Sequence, residues 1–272
     1  MAAKKLKEEI LTAELALRLG QVLGLRHKNG RTRKVLIGKE PRRANYMLET
    51  AFMAGFTSAG MSVEVTGPLP TSAVAMLVKS MRCDLGVMIT GEGVPSGNGP
   101  KIFTLDGELS PSEIRKIEEE VCESLPRTLI DVVPGPAHRI EGAQGRYVQY
   151  ATGTVPELRL EGIRVIVDCA NGAAYEVAPQ ALRELSAEVF SVNIEPDGFN
   201  IDLLCGFNDI SLLRKQVHKY RADFGLAFRG DGYQFRAIAR DGLEVCVEEE
   251  ESKVPPEERG LVSALRLLQA TF

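Results

Sequence analysis

Arg82-Cys-Asp-Leu-Gly-Val-Met-Ile-Thr-Gly-Glu-Gly93 returns in pattern as Arg221-Ala-Asp-Phe-Gly-Leu-Ala-Phe-Arg-Gly-Asp-Gly232, 139 positions later. Each copy holds an apolar run, residues 85–89 or 224–228, that reads as a buried strand stopping at a Gly-acid-Gly turn. A twelve-residue repeat of this kind implies a duplicated α/β unit. Open α/β sheets place ligands at the carboxyl ends of their strands. Two such turns facing one cleft would build a single site from two domains.

Working outward, Thr12 can cap a helix whose apolar residues Leu15, Leu19, Val22 and Leu23 fall at helical spacing, with Gly24 as a stop. Residues 35–38 read as a strand, 46–60 as a helix, 62–66 as a strand and 72–81 as a helix leading into the first copy of the repeat. After it, residues 101–104 form a strand, and Ser110-Pro-Ser-Glu113 starts a charged helix with Pro at its first position. Residues 126–145 are rich in Pro and Gly and are read as the interdomain linker. The second unit then follows as a helix at 144–152, strands at 163–168 and 188–192 flanking a helix at 177–185, and a helix at 212–220 before the repeat. Glu248-Glu-Glu-Glu251 followed by Pro255-Pro256 reads as a solvated break before a final helix at 260–270.

Composition closes off several classes. The 272 residues are 44% hydrophobic and 26% charged with a formal net charge of −4, enough for two cores and without the basic field that nucleic-acid binding needs. The charged amino terminus and strand-length apolar runs predict neither a signal peptide nor a membrane span, so the expected compartment is the cytoplasm. Five cysteines, none in a Cys-x-x-Cys pair, read as packed thiols; His27, His138 and His218 suggest no metal triad.

The two turns, together with Gly38-Lys-Glu-Pro-Arg42, Gly67-Pro-Leu-Pro-Thr71, Asp168-Cys-Ala-Asn-Gly-Ala-Ala-Tyr175 and Glu195-Pro-Asp-Gly198, resemble the phosphoglucosamine mutases of the α-D-phosphohexomutase superfamily. The resemblance spans about residues 10 to 270 and corresponds to the first two of that family's four domains. It implies two tandem homologous α/β domains, with mixed sheets flanked by helices, at 1–135 and 136–245. Residues 246–272 would be an acidic linker and the start of a third domain.

The family isomerises glucosamine 6-phosphate and glucosamine 1-phosphate through a phosphoserine and a magnesium ion. By that resemblance Glu92 stands at the phosphoserine position, where a carboxylate cannot accept and return a phosphoryl group. Thr90 and Ser96 would lie out of place for in-line transfer. The metal turn reads Arg229-Gly-Asp-Gly-Tyr-Gln234, which leaves Asp231 as the sole surviving carboxylate and puts a guanidinium in the first ligand position. Asp231 is then a turn-capping residue or a remnant ligand. No cofactor is expected. Glu92 and Arg229 either form a salt bridge in place of phosphoserine and cation or are separate surface charges.

Arg42 matches a basic residue near the family's serine, or is a solvated arginine; with Lys101 and Arg229 it would make a small charge cluster. The expected function is that of a truncated pseudoenzyme acting by protein binding. A second copy of the chain or a full-length mutase is the expected partner, forming a homodimer or heterodimer, and the resemblance adds a diadenylate cyclase as a candidate. The rival readings are an active isomerase completed in trans and a sugar-phosphate binding module.

Overall fold

The computed structural model describes residues 11–27, 29, 32–91, 99–123, 132–245 and 253–272. The chain divides into two compact units, residues 1–68 with 74–141 and residues 69–73 with 142–272.

In the first unit, helix α1 (Ala13–Arg26) starts at Thr12, whose hydroxyl accepts from the Leu15 amide. It runs past the expected stop at Gly24, because Gly24 is buried inside the helix rather than left-handed at its end. Strand β1 (Lys34–Lys39), helix α2 (Arg43–Ser58), strand β2 (Ser62–Pro68), helix α3 (Thr71–Ser80), whose residues 71–73 group with the second unit, and strand β3 (Leu85–Thr90) follow. β4 (Gly99–Thr104) and β5 (Gly107–Glu108) return antiparallel, and α4 (Pro111–Glu123) closes the run. The expected capping box is present: Glu113 accepts from the Ser110 amide at 2.8 Å, and the Ser110 hydroxyl accepts from the Glu113 amide at 3.3 Å. The Ser110 hydroxyl, which also donates to the Glu113 carboxylate at 2.6 Å, and the Ser110 amide hold that carboxyl below its ordinary range.

One part of the expected linker is not a linker. Residues Ala137–Arg139 form β6, parallel to β2, and complete a six-stranded sheet of order β5-β4-β3-β1-β2-β6. All three residues of β6 are exposed, so hydrophobic periodicity could not reveal a strand held by backbone pairing alone. The core of this unit joins Val35, Ile37, Phe52, Phe56, Val63, Leu85, Val87 and Ile89, with both faces of β3 fully buried. Such double burial is expected of a parallel strand covered on two sides.

The second unit contains α5 (Ala143–Gly153), β7 (Arg164–Asp168), α6 (Val177–Glu184), β8 (Glu188–Val192), α7 (Ser211–Tyr220), β9 (Phe224–Phe228), β10 (Phe235–Ala239), β11 (Glu244–Val245) and α8 (Leu261–Thr271). Its sheet order, β11-β10-β9-β7-β8, reproduces strand for strand the first unit's β5-β4-β3-β1-β2. β7, β8 and β9 are parallel, while β10 and β11 run antiparallel. The final helix shares this unit's core: Leu261, Val262, Leu265 and Leu268 are fully buried, and α8 packs against α5 and β10.

The repeat is explained by how each copy feeds its third strand. Arg82 and Arg221 both take left-handed backbone, with φ of 54° and 49°. The next residue in each copy, Cys83 or Ala222, donates its amide to the helix carbonyl of Val78 or Val217 at 2.9 Å. Asp84 then accepts from the Lys34 amide at 3.3 Å, as Asp223 does from Arg164 at 2.9 Å. These carboxylates fasten the third strand to the start of the first. Gly86 and Gly225 let the helix close on the sheet, since an added Cβ would lie 2.3 Å from Val78 Cγ2 and 2.8 Å from Val217 Cγ2 respectively. No helix among the described residues is long and apolar enough to cross a membrane.

Candidate functional site

At the carboxyl end of the first sheet, β1 delivers Lys39 and Glu40, both buried. Glu40 Oε1 accepts from Arg42 Nε at 2.9 Å and from the Gly91 amide. The buried Asn45 side chain donates to the Glu40 carbonyl at 3.3 Å and to the Ile89 carbonyl at 3.1 Å. The Glu40 amide also donates to Ile89 O at 3.2 Å. The last residues of β3 are therefore held from one side by β1 and the first turn of α2, which fixes where the turn after Thr90 begins. Lys39 pairs with Glu49 of α2 and lies 4.0 Å from the Tyr46 ring centre, so its charge is met at once by a carboxylate and a π-face.

Arg42 is thus a half-buried partner of a buried acid, and not simply a solvated side chain. Lys101 sits on β4 opposite Met88 and is half-buried. Glu92, and with it the expected pairing with Arg229, lies outside the described residues. Arg42 and Lys101 belong to the first unit and Arg229 to the second.

In the second unit the corresponding turn links β9 to β10. Arg229 N donates to Gln234 O at 3.0 Å and Gly232 N to Arg229 O at 2.8 Å, so the turn is closed by its own backbone. Asp231 is fully buried. Its Oδ1 accepts from the Tyr233 amide at 3.0 Å and its Oδ2 from the Thr71 hydroxyl at 3.2 Å, while its carbonyl accepts from the Thr71 amide at 2.9 Å. The Arg229 guanidinium donates to the Gln234 side-chain carbonyl and lies 5.1 Å from the Phe207 ring centre. Neighbouring segments brace the same turn: Gly230 N donates to Asp202 Oδ1 at 2.9 Å, and Ala173 N to Gly230 O at 2.7 Å.

Asp168, at the end of β7, shapes the adjoining turn. One carboxyl oxygen accepts from Ala170 N and Asn193 Nδ2 at 2.9 and 3.0 Å, and the other from Gly206 N at 3.0 Å. Burial pushes its pKa up, against the lowering effect of those three bonds. The turn it organises carries two left-handed residues, Ala170 and Asn171.

A hard divalent cation takes several oxygen ligands. The Arg229–Gln234 turn has one carboxylate, which is turned inward to Thr71 and Tyr233, and a guanidinium beside it. Among the described residues no group of three or more His, Cys, Asp or Glu could hold a metal. The residues present do not fit magnesium.

Sequence reading had not singled out Glu40, Asn45 or Thr71 as the residues that position these turns. Glu40 and Thr71 lie inside the Gly38–Arg42 and Gly67–Thr71 stretches that carry the resemblance, and that was the available signal.

Comparison with known proteins agrees with this architecture. Residues 3–126 match the family described as phosphoglucomutase/phosphomannomutase, alpha/beta/alpha domain I, and residues 145–242 match its domain II. The phosphoglucosamine mutase of Afipia carboxidovorans is 49% identical over 238 residues, 86% of this chain and 53% of that protein. That of Bradyrhizobium sp. (strain ORS 278) is 49% identical over 227 residues, 82% of this chain and 51% of the relative. The crystal structure of a phosphoglucomutase/phosphomannomutase family protein from Burkholderia thailandensis superposes with a TM-score of 0.73 at 20% identity, covering 86% of this chain and 52% of that one. The chain spans about half the length of the curated relatives it matches. Two family domains in tandem order, on two sheets of the same strand order, establish that the chain belongs to the phosphoglucomutase/phosphomannomutase family of phosphohexomutases.

Proposed function

We propose that this chain is a phosphoglucosamine-mutase-like protein that performs no phosphoryl transfer and works by binding protein, either a second copy of itself or a full-length mutase. The observation that carries the reading is the state of the Arg229–Gln234 turn. Its single carboxylate is spent on Thr71 and Tyr233, and its first position is a guanidinium held by Gln234. Phosphoryl transfer depends on positioning and charge neutralisation around the moving group. A turn that offers a cation in place of carboxylate ligands supplies neither the metal nor its geometry. The sequence adds Glu92 at the position the resemblance assigns to the phosphoserine, where no hydroxyl is present to carry phosphate.

Binding of a sugar phosphate through Arg42 and Arg229 is less well supported. Each guanidinium already has an internal acceptor, Glu40 and Gln234 respectively. A cytoplasmic setting is part of the proposal, in keeping with the buried, unbridged thiols of Cys83, Cys169 and Cys205. Burial pushes the Cys83 and Cys205 thiols up to about 12, which keeps both protonated and unreactive.

Incubation with glucose 1,6-bisphosphate and magnesium, followed by intact-mass measurement, should show no added phosphoryl group. A mass gain of one phosphoryl would replace this reading with that of an isomerase completed by a second chain. Light scattering of the chain alone and mixed with a full-length phosphoglucosamine mutase should show a complex in at least one case. Two monomeric species in the mixture would remove the binding role.

A further inference from the structure

The Arg229–Gln234 turn has more partners than a surface hairpin needs. Besides Ala173 and Asp202, two segments far apart in sequence meet on it, all within the second unit: residues 69–71 and residues 254–260. Thr71 supplies two of the contacts, amide to Asp231 O at 2.9 Å and hydroxyl to Asp231 Oδ2 at 3.2 Å. Tyr233 supplies the third side. It is almost fully buried, its hydroxyl accepts from Arg259 Nη1 at 3.1 Å, and the Arg259 guanidinium lies 5.0 Å from its ring centre. Arg259 in turn donates through Nε to Val254 O at 3.0 Å, so the same side chain ties the approach to α8.

Backbone proximity makes this arrangement specific. Gly260, the residue just before α8, has φ of 66°, and an added Cβ would sit 2.1 Å from Gly232 O. Gly232 has the same left-handed φ, and an added Cβ there would meet Pro70 at 2.9 Å. The turn is therefore in van der Waals contact with the start of α8 on one side and with residues 69–71 on the other. No divalent ion is required at any of these contacts, because each joins protein groups directly; the charges brought to the turn from outside include the Arg259 guanidinium at Tyr233 and the Asp202 carboxylate at the Gly230 amide.

We propose that this turn is a metal-independent latch, in which Asp231 and Tyr233 fasten residues 69–71 and the start of α8 to the end of β9, with Arg259 as its built-in cation. The latch goes beyond the proposed binding role and holds whether or not the chain has a partner. It assigns Tyr233, at a position where the resemblance places a metal ligand, a structural task of its own.

The test uses the full chain and two readouts. Thermal unfolding should give the same midpoint with magnesium as with a chelator. In hydrogen exchange read by mass spectrometry, Tyr233→Phe should speed exchange of the α8 amides about tenfold relative to wild type, the size expected from losing one hydrogen bond to a charged group. Arg259→Met should produce at least as large a change confined to the same helix. Magnesium raising the midpoint in wild type but not in Asp231→Asn would overturn the latch by restoring a metal role. Exchange in α8 left unmoved by both substitutions, or raised equally across β7, β9 and α8, would overturn it as well.

Discussion

The two copies of the α/β unit agree where a helix hands over to the third strand and part where that strand ends. At the handover, a left-handed arginine, a buried amide, an aspartate clamp and a glycine recur with the same partners, from Arg82 to Gly86 and from Arg221 to Gly225. At the far end, the first copy uses buried Glu40 to hold Gly91 N, whereas the second buries Asp231 within its own turn. The difference separates two kinds of constraint. Handover residues are set by close packing and backbone geometry, which any sheet of this order must satisfy. Turn residues are set by whatever the turn holds, and they change freely once that task changes.

The largest expected effect is at the handover. Gly86→Ala drives a methyl into Val78 and should lower stability by about 2–3 kcal/mol in urea unfolding, with Gly225→Ala costing about 1–2 kcal/mol because Val217 and Leu213 stand further off. Negligible cost at both sites would break the claim that packing preserved this segment.

A second test concerns the ends of the first strands. The shared aspartate clamps make Lys34 the counterpart of Arg164 in the two copies, and so make Gly38 the counterpart of Asp168. Asp168 has a raised folded-state pKa, so the folded chain holds its proton to higher pH than the unfolded chain does. Its favourable contribution is complete below the unfolded value and is lost as pH rises through the folded one. Relative to Asp168→Asn, which does not titrate, wild type should therefore lose stability as pH rises from the ordinary carboxylate value of about 4. Urea midpoints of wild type that instead rise relative to the variant with increasing pH would reverse the sign and reject burial as the dominant influence.

The smallest expected change is a gain. Arg82→Gly and Arg221→Gly relieve left-handed strain at the cost of a more flexible unfolded chain, and each should stabilise by up to about 1 kcal/mol. Thermal melts of the two variants should shift upward by similar amounts; opposite signs would show that the handovers are not equivalent.

Much of this was readable beforehand. The apolar runs at β3 and β9, the Thr12 cap and the Ser110 capping box are local patterns with local causes, and each formed where expected. β10 was not anticipated, since Phe235-Arg-Ala-Ile-Ala239 carries small residues where a strand signal needs bulk. β6 was concealed in a Pro- and Gly-rich stretch because its strand character comes from pairing with β2. Around the turns, Asp231 and Arg229 stood out through the resemblance, while Glu40, Asn45 and Thr71 did not. An acid, an amide and a hydroxyl beside a strand end read as surface groups until the chain is folded and their acceptors and donors come from residues tens of positions away.

The paired arginines in left-handed backbone bear on ancestry. Glycine suits that conformation better, so two unrelated units arriving independently at the same junction would be expected to converge on glycine. Finding the same second-best residue in both places is the mark of copying, in the way that a shared misspelling identifies two manuscripts of one source.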